Sequence, residues 1–205
     1  MMVTLITDPA LEERLIAMRG AWGGNHHDEV WDGIYIMTPL PNDEHQDIVG
    51  GLIAALHGIV KKPGLGIVRP GVNISDRTTD WQQNYRCPDA AVFLNDTKAT
   101  NHGSYWYGGP DLAIEVISPG DKAREKLAFY GDVGTREVLL IDRDPWQIEL
   151  YRLDGSKLEL IGSSSLEATV PLESQVVGCS FVLKQGKPRP LVRIEQAAAN
   201  KSWDV

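Results

Sequence analysis

The stretch PDLAIEVISPGDKAREKLAFYGDVGTREVLLID, residues 110–142, decides how this chain folds. It opens on an apolar run, passes through a Gly- and Asp-marked break into a helical pattern, and ends on a second apolar run. Such a unit predicts two parallel strands joined by a right-handed crossover. The first run carries two carboxylates, Asp111 and Glu115, where a buried strand should carry none. Ionised carboxylates are rarely buried without a cation, hydrogen bonds or a metal to replace water. Alternation along a strand places both acids on one face with Ala113 and Ile117. Four residues at ~3.3 Å each set them about 13 Å apart, too far for both to bind one ion.

Working outward, Asp8-Pro9 before ALEERLIAMRG predicts a capped N-terminal helix over 8–20. EVWDGIYIMTP reads as a hairpin about Asp32-Gly33, with Glu29 at its start. Asn42 can cap a long helix in which Ile48, Val49, Leu52, Ile53, Leu56, Ile59 and Val60 recur at helical spacing until KKPG. LGIVRPGVNIS, CPDAAVFLND and PDLAIEVISP are strand-like, and WQIELYRLDGSKLELIG is a hairpin about Asp154-Gly155. The order helix, three strands, helix, strand gives an α/β core with additional β-hairpins, expected as a single domain over 1–205. Residues 184–205 carry five Lys or Arg against two acids and read as a basic, solvated C-terminal tail or partner-docking arm.

With 42% hydrophobic and 23% charged residues the composition is that of an ordinary globular protein. Two cysteines, Cys87 and Cys179, are too few for a disulfide framework and read as buried thiols in a reducing cytoplasm. No apolar run is long enough for a membrane span, so a cytoplasmic protein without membrane contact is expected. The net charge of −8 argues against holding nucleic acid by bulk charge, although an acidic metal-dependent site would itself add to that sum.

Glu115 needs an acidic neighbour nearer than Asp111, and the preceding strand offers Asp89. A cation is within reach as well. A helix starting at Asp121 brings Lys126 back about 7.5 Å at ~1.5 Å per residue, close to the height of Glu115, with Lys122 one turn earlier.

The segments DEVWDGIYIMTP, NDEHQDIV, YRCPDAAVF and PDLAIEVISPGDKAREKLAFYGDVGTREVLLID, in this order, resemble the Uma2 family of the PD-(D/E)XK nuclease superfamily, over about Asp28 to Leu183. The resemblance implies a restriction-endonuclease-like core over 28–183. It implies Asp89 and Glu115 as metal-binding and catalytic acids, Lys126 as the lysine, Glu29 as an extra site carboxylate and His45 as a second-rank site residue. The parent superfamily carries its lysine two residues after the acid, where this chain has Ile117. Hard oxygen donors suit Mg2+ or Mn2+.

The reading that follows is a metal-dependent endonuclease acting on DNA, bound weakly and salt-dependently, with a homodimer suited to a twofold duplex. A noncatalytic module of the same fold, binding nucleic acid or protein, is the alternative. A metal-free glycosidase is disfavoured because an ammonium near Glu115 keeps it ionised. Plain structural readings stand beside these. Glu115 with Lys126 can be a salt bridge, and Glu29 an exposed hairpin residue. Asp111 fits a strand-opening turn and stays a second-rank candidate. His26-His27 fits a solvated loop, and Trp81, Tyr85, Trp106 and Tyr107 can stack on bases or simply pack.

Overall fold

The computed structural model describes residues 4–21, 23, 27–118 and 120–205. β1 (Thr4–Ile6) precedes α1 (Pro9–Ala21). Asp8 starts that helix, its Oδ1 accepting from the Ala10 and Leu11 amides at 2.9 and 3.2 Å. β2 (Glu29–Trp31) and β3 (Ile34–Met37) form the expected hairpin, and Asp32 and Gly33 take φ of 47° and 81°, as a two-residue type I′ turn requires. α2 (Asp43–Leu56) is capped by Asn42 and continues through a π-helical turn to Lys61.

Then come β4 (Gly66–Pro70), β5 (Ile74–Ser75), β6 (Tyr85–Arg86), β7 (Ala90–Leu94), β8 (Thr100–Asn101), β9 (Trp106–Tyr107) and β10 (Leu112–Ile117). After β10 a 3-10 turn over Ala123–Lys126 leads into α3 (Leu127–Asp132). The chain ends with β11 (Glu137–Arg143), β12 (Trp146–Asp154), β13 (Lys157–Ser165), β14 (Leu172–Ser174), β15 (Cys179–Lys184), β16 (Leu191–Gln196) and β17 (Lys201–Asp204).

A six-stranded sheet in the order β13-β12-β11-β10-β7-β4 forms the centre. β10 and β11 pair in parallel, as the strand-helix-strand reading requires, while β7 pairs antiparallel to β10 with Ala90 opposite Ile114. Alternation sorts their side chains. Leu112, Ile114, Val116, Ala90, Val92, Leu139 and Ile141 face α2 and the four-stranded sheet β14-β15-β16-β17, while Ala113, Ile117, Ala91, Phe93, Val138 and Leu140 face α3. The third sheet, β1-β3-β2-β6-β5-β9-β8, carries the first hairpin and adds Ile74 and Trp106 to the α3 side. Among the described residues no helix is long and apolar enough to cross a membrane.

Three expectations change. Residues 184–205 are not a solvated tail: β16 and β17 extend the four-stranded sheet, and Val192 and Ile194 are fully buried. The basic count hid a period-two pattern, since Arg193 and Glu195 point outward between apolar neighbours. The run packs tightly at its end: a Cβ on Gly51 of α2 would stand 2.7 Å from Val205 Cγ1. Second, Lys126 closes a 3-10 turn instead of lying within a helix capped by Asp121, whose Oδ1 accepts from the Lys122 amide. At about 2.0 Å per residue a 3-10 turn covers the return along the sheet in fewer residues. Third, NDTKATNHGSYWYGG, residues 95–109, for which the sequence predicts a long loop, holds β8 and β9, and Trp106 is buried with its ring stacked 3.7 Å from that of Phe93.

Because Ile194 sits in the main core, Ile194→Ala should lower the unfolding free energy by about 2–5 kcal/mol, the usual cost of such a truncation. Urea denaturation checks this; a change below about 0.5 kcal/mol, typical of a solvated surface position, would return residues 184–205 to the tail reading.

Candidate active site

One step beyond the Ala90–Ile114 pair, the register brings Asp89, just before β7, opposite Glu115 on β10. Antiparallel partners directly opposite have Cβ atoms about 4.5–5.5 Å apart, so two carboxylates from strands remote in sequence become neighbours. Asp89 Oδ2 accepts the Val116 amide at 2.7 Å, which fixes its orientation against β10. Its Oδ1 lies 3.0 Å from His45 Nε2, and His45 is placed by the Asn42 cap, whose Oδ1 accepts the His45 amide.

Glu115 is buried on the α3 face. Both its oxygens lie 3.0 Å from Lys126 Nζ, and Oε1 also accepts the Tyr130 hydroxyl at 2.5 Å. The ammonium bridges onward to Glu29 Oε1 at 2.8 Å. Glu29 is therefore not an exposed hairpin residue: it is buried, accepting the Cys87 amide on Oε1 at 2.8 Å and the Trp31 indole on Oε2 at 2.6 Å. The three N–H donors of Lys126 are all directed at the two glutamates. Behind Glu29 lies the buried Arg86, its guanidinium sandwiched between the Trp31 and Phe129 rings at 4.5 and 4.3 Å, a cation–π arrangement that keeps a second positive charge under the acids.

Glu29, His45, Asp89, Glu115 and Lys126 line a pocket of about 460 Å³. Asp111 is not among its lining. That carboxylate is buried instead of solvent-facing, accepting the Leu94 amide at 2.8 Å and pairing with Arg136 at 3.2 Å, so it ties β10 to β7. Arg124 turns away to Asp142 and Glu149. His27, expected in a solvated loop, lines the pocket with its Nδ1 4.0 Å from Cys87 Sγ; His26 lies outside the described residues. Trp81 packs against Tyr85 and Tyr105.

Sequence reasoning missed Tyr130, Cys87 and Arg143. Tyr130 follows Lys126 by four residues, one helical turn, and that spacing was a usable signal. Arg143 ends the strand β11, reaching Ser118 Oγ at 2.9 Å and Glu44 at 2.9 Å, and no local pattern marks it.

The charge balance is uneven. Against the expectation that a nearby ammonium keeps Glu115 ionised, burial pushes its carboxyl up to about 8; Lys126 opposes the shift without cancelling it, while Asp89 and Glu29 add to it. Burial alone would pull the Lys126 ammonium down, but Glu115 and Glu29 outweigh it and hold its pKa well above the ordinary value. Burial, then Glu115, raises the Tyr130 phenol, which stays a donor, and burial likewise keeps the Cys87 thiol protonated. Among the described residues no three His, Cys, Asp or Glu side chains are grouped to hold a metal ion. The donor set nonetheless fits a hard divalent ion. Asp89 and Glu115 offer carboxyl oxygens from neighbouring strands, and Mg2+ commonly takes only one or two protein carboxylates with water completing its shell.

The folded protein holds a proton on Glu115 that the unfolded chain releases near its ordinary value of 4.5. The resulting stabilisation is complete below that pH and is lost as pH rises through about 8. Metal-free wild type should therefore lose thermal stability relative to Glu115→Gln as pH is raised from about 5 to about 9. A Tm difference between the two that stays constant over this range would contradict the shift.

The comparisons with known proteins bear on this arrangement. A solved structure described as a "putative nuclease belonging to DUF820" from Anabaena variabilis is similar with a TM-score of 0.57 and 20% identity, covering 73% of this chain and 83% of that one. At that identity the likeness speaks for the fold, and the fold is restriction-endonuclease-like. No curated protein matches. The model of the Uma2 family, described as "Putative restriction endonuclease", matches residues 23–184, which contain every residue of the acidic site. This chain belongs to the Uma2 family.

Proposed function

We propose that this protein is a Mg2+- or Mn2+-dependent endonuclease that hydrolyses DNA phosphodiester bonds. One observation carries the reading: Asp89 and Glu115, on neighbouring strands, line a pocket with Lys126 3.0 Å from Glu115. The family description and the nuclease-like neighbour agree with it.

In this reading Asp89 and Glu115 hold the divalent ion, which when bound supplies Lewis-acid polarisation of a phosphoryl oxygen and a more acidic water. The chain's own groups do the rest. Val116 N–H and His45 fix the Asp89 carboxylate. Lys126 locks Glu29 and Glu115 in register and keeps a positive charge beside the position of the phosphate, where negative charge develops. His45 Nδ1 is buried and, among the described residues, has no hydrogen-bond partner, so the imidazole meets the site through Nε2, which holds Asp89 Oδ1 at 3.0 Å. The second reading, a noncatalytic module of the same fold, draws on the full engagement of Lys126 by the glutamates, which leaves the ammonium no spare donor for a substrate.

Calorimetric titration of wild type and Asp89→Asn with Mn2+, followed by plasmid cleavage, separates the two. Metal binding and cleavage should both be present in wild type and both fall at least about tenfold in Asp89→Asn. A wild type that neither binds Mn2+ nor cuts DNA supports the noncatalytic module. DNA binding itself should weaken steeply between about 50 and 200 mM salt, since it rests on phosphate contacts; affinity unchanged across that range would show that other contacts dominate.

A further inference from the structure

The pocket that holds the acidic groups is also lined by apolar and by cationic groups, and the combination points to a substrate. The chain between β3 and α2 contributes an apolar strap of Pro39, Leu40 and Pro41, and Lys122 and Lys126 contribute cationic groups; Arg143 adjoins the strap, bonded to Asn42 and Glu44. At about 460 Å³ the space falls in the roughly 300–1,000 Å³ range of sites that enclose one small molecule. Its acids are deep: Glu29 and Glu115 are only 2% and 3% exposed.

Duplex DNA suits such a recess poorly. It is stiff, with a persistence length of about 50 nm, and it offers its phosphates on a convex surface. It is also held mainly by many Lys and Arg contacts along the backbone. Here two of the lining cations are already paired, Lys122 with Glu125 and Arg143 with Glu44, and the chain carries a net charge of −8. Enzymes that enclose a base in a pocket take its nucleotide out of the stack, and unpaired strands bind through apolar contact with the base and cationic contact with the phosphate.

We infer that the pocket takes one unpaired nucleotide of a DNA strand, with the base against the Pro39-Leu40-Pro41 strap and the phosphate toward Lys126. The inference rests on the nuclease reading for its chemistry but not for its binding. The preferred substrate is then single-stranded DNA, or a duplex with an unpaired stretch, and not an intact double helix. Leu40 is a specificity-determining contact: at 59% exposure it projects from the strap, so changing it does not disturb the core.

The test uses the full chain and three fluorescein-labelled oligonucleotides of one sequence: single-stranded, fully duplex, and duplex with a central unpaired bubble. Anisotropy in EDTA reads binding, and incubation with Mn2+ or Mg2+ reads cleavage. We expect the single strand to bind at least about tenfold tighter than the duplex, cleavage of the bubble within its unpaired stretch, and Leu40→Glu to weaken single-strand binding about tenfold or more. An intact duplex bound and cut as well as the single strand overturns the inference and leaves the nuclease reading standing. Single-strand binding lost in Leu40→Glu, with no oligonucleotide cut in either metal, keeps the pocket assignment and removes the nuclease. Absence of single-strand binding, or binding indifferent to Leu40→Glu, overturns the pocket assignment itself.

Discussion

Lys126 between Glu29 and Glu115 is the contact on which the arrangement of the site depends. It joins three parts of the chain that meet nowhere else in sequence: the first hairpin, the central strand β10, and the turn that leads into α3. Without a cation there, two buried carboxylates would face each other and Asp89 with only hydrogen bonds to offset the lost hydration, a costly state in a protein interior. The ammonium converts that repulsion into an attachment of the hairpin to the core. Tyr130, Trp31 and the Cys87 amide then use up oxygen positions that Lys126 leaves free.

The sandwich of Arg86 serves the same balance from below. Its charge, dispersed over two aromatic rings and three acceptor oxygens, lies inside the protein without a carboxylate of its own. Placed beneath Glu29, it offsets part of the negative charge that Lys126 alone cannot match. Burial pulls its pKa down, and Glu29 works against that pull.

Much of this was legible in the sequence because it is local or periodic. The strand-helix-strand unit, both two-residue hairpins and the Asn42-capped helix follow from patterns within windows of ten to twenty residues, and the height argument brought Lys126 to Glu115. What failed was of another kind. Residues 184–205 looked like a tail because their charge was counted without regard to alternation. Asp111 reads as a strand-opening turn residue because nothing in its own strand announces Arg136. His27, Cys87 and Arg143 reach the pocket through pairing among strands whose register a single sequence does not reveal. The acidic character of the site was readable; the aromatic and apolar walls that shape it were not.

The antiparallel pairing of β7 with β10 reaches beyond geometry. Because Asp89 and Glu115 are brought together by register, their separation is independent of the length of the segment between the strands, residues 95–111. Its exposed turn, residues 100–104, can change while the acids stay in step, whereas Trp106, stacked on Phe93, and Asp111, bound to the Leu94 amide, are held by the core. A single residue inserted inside either strand, by contrast, would turn one acid to the opposite face of the sheet. The fold thus separates an exposed turn, where new recognition surfaces can be tried without touching the pair of carboxylates, from strand positions where one step is decisive.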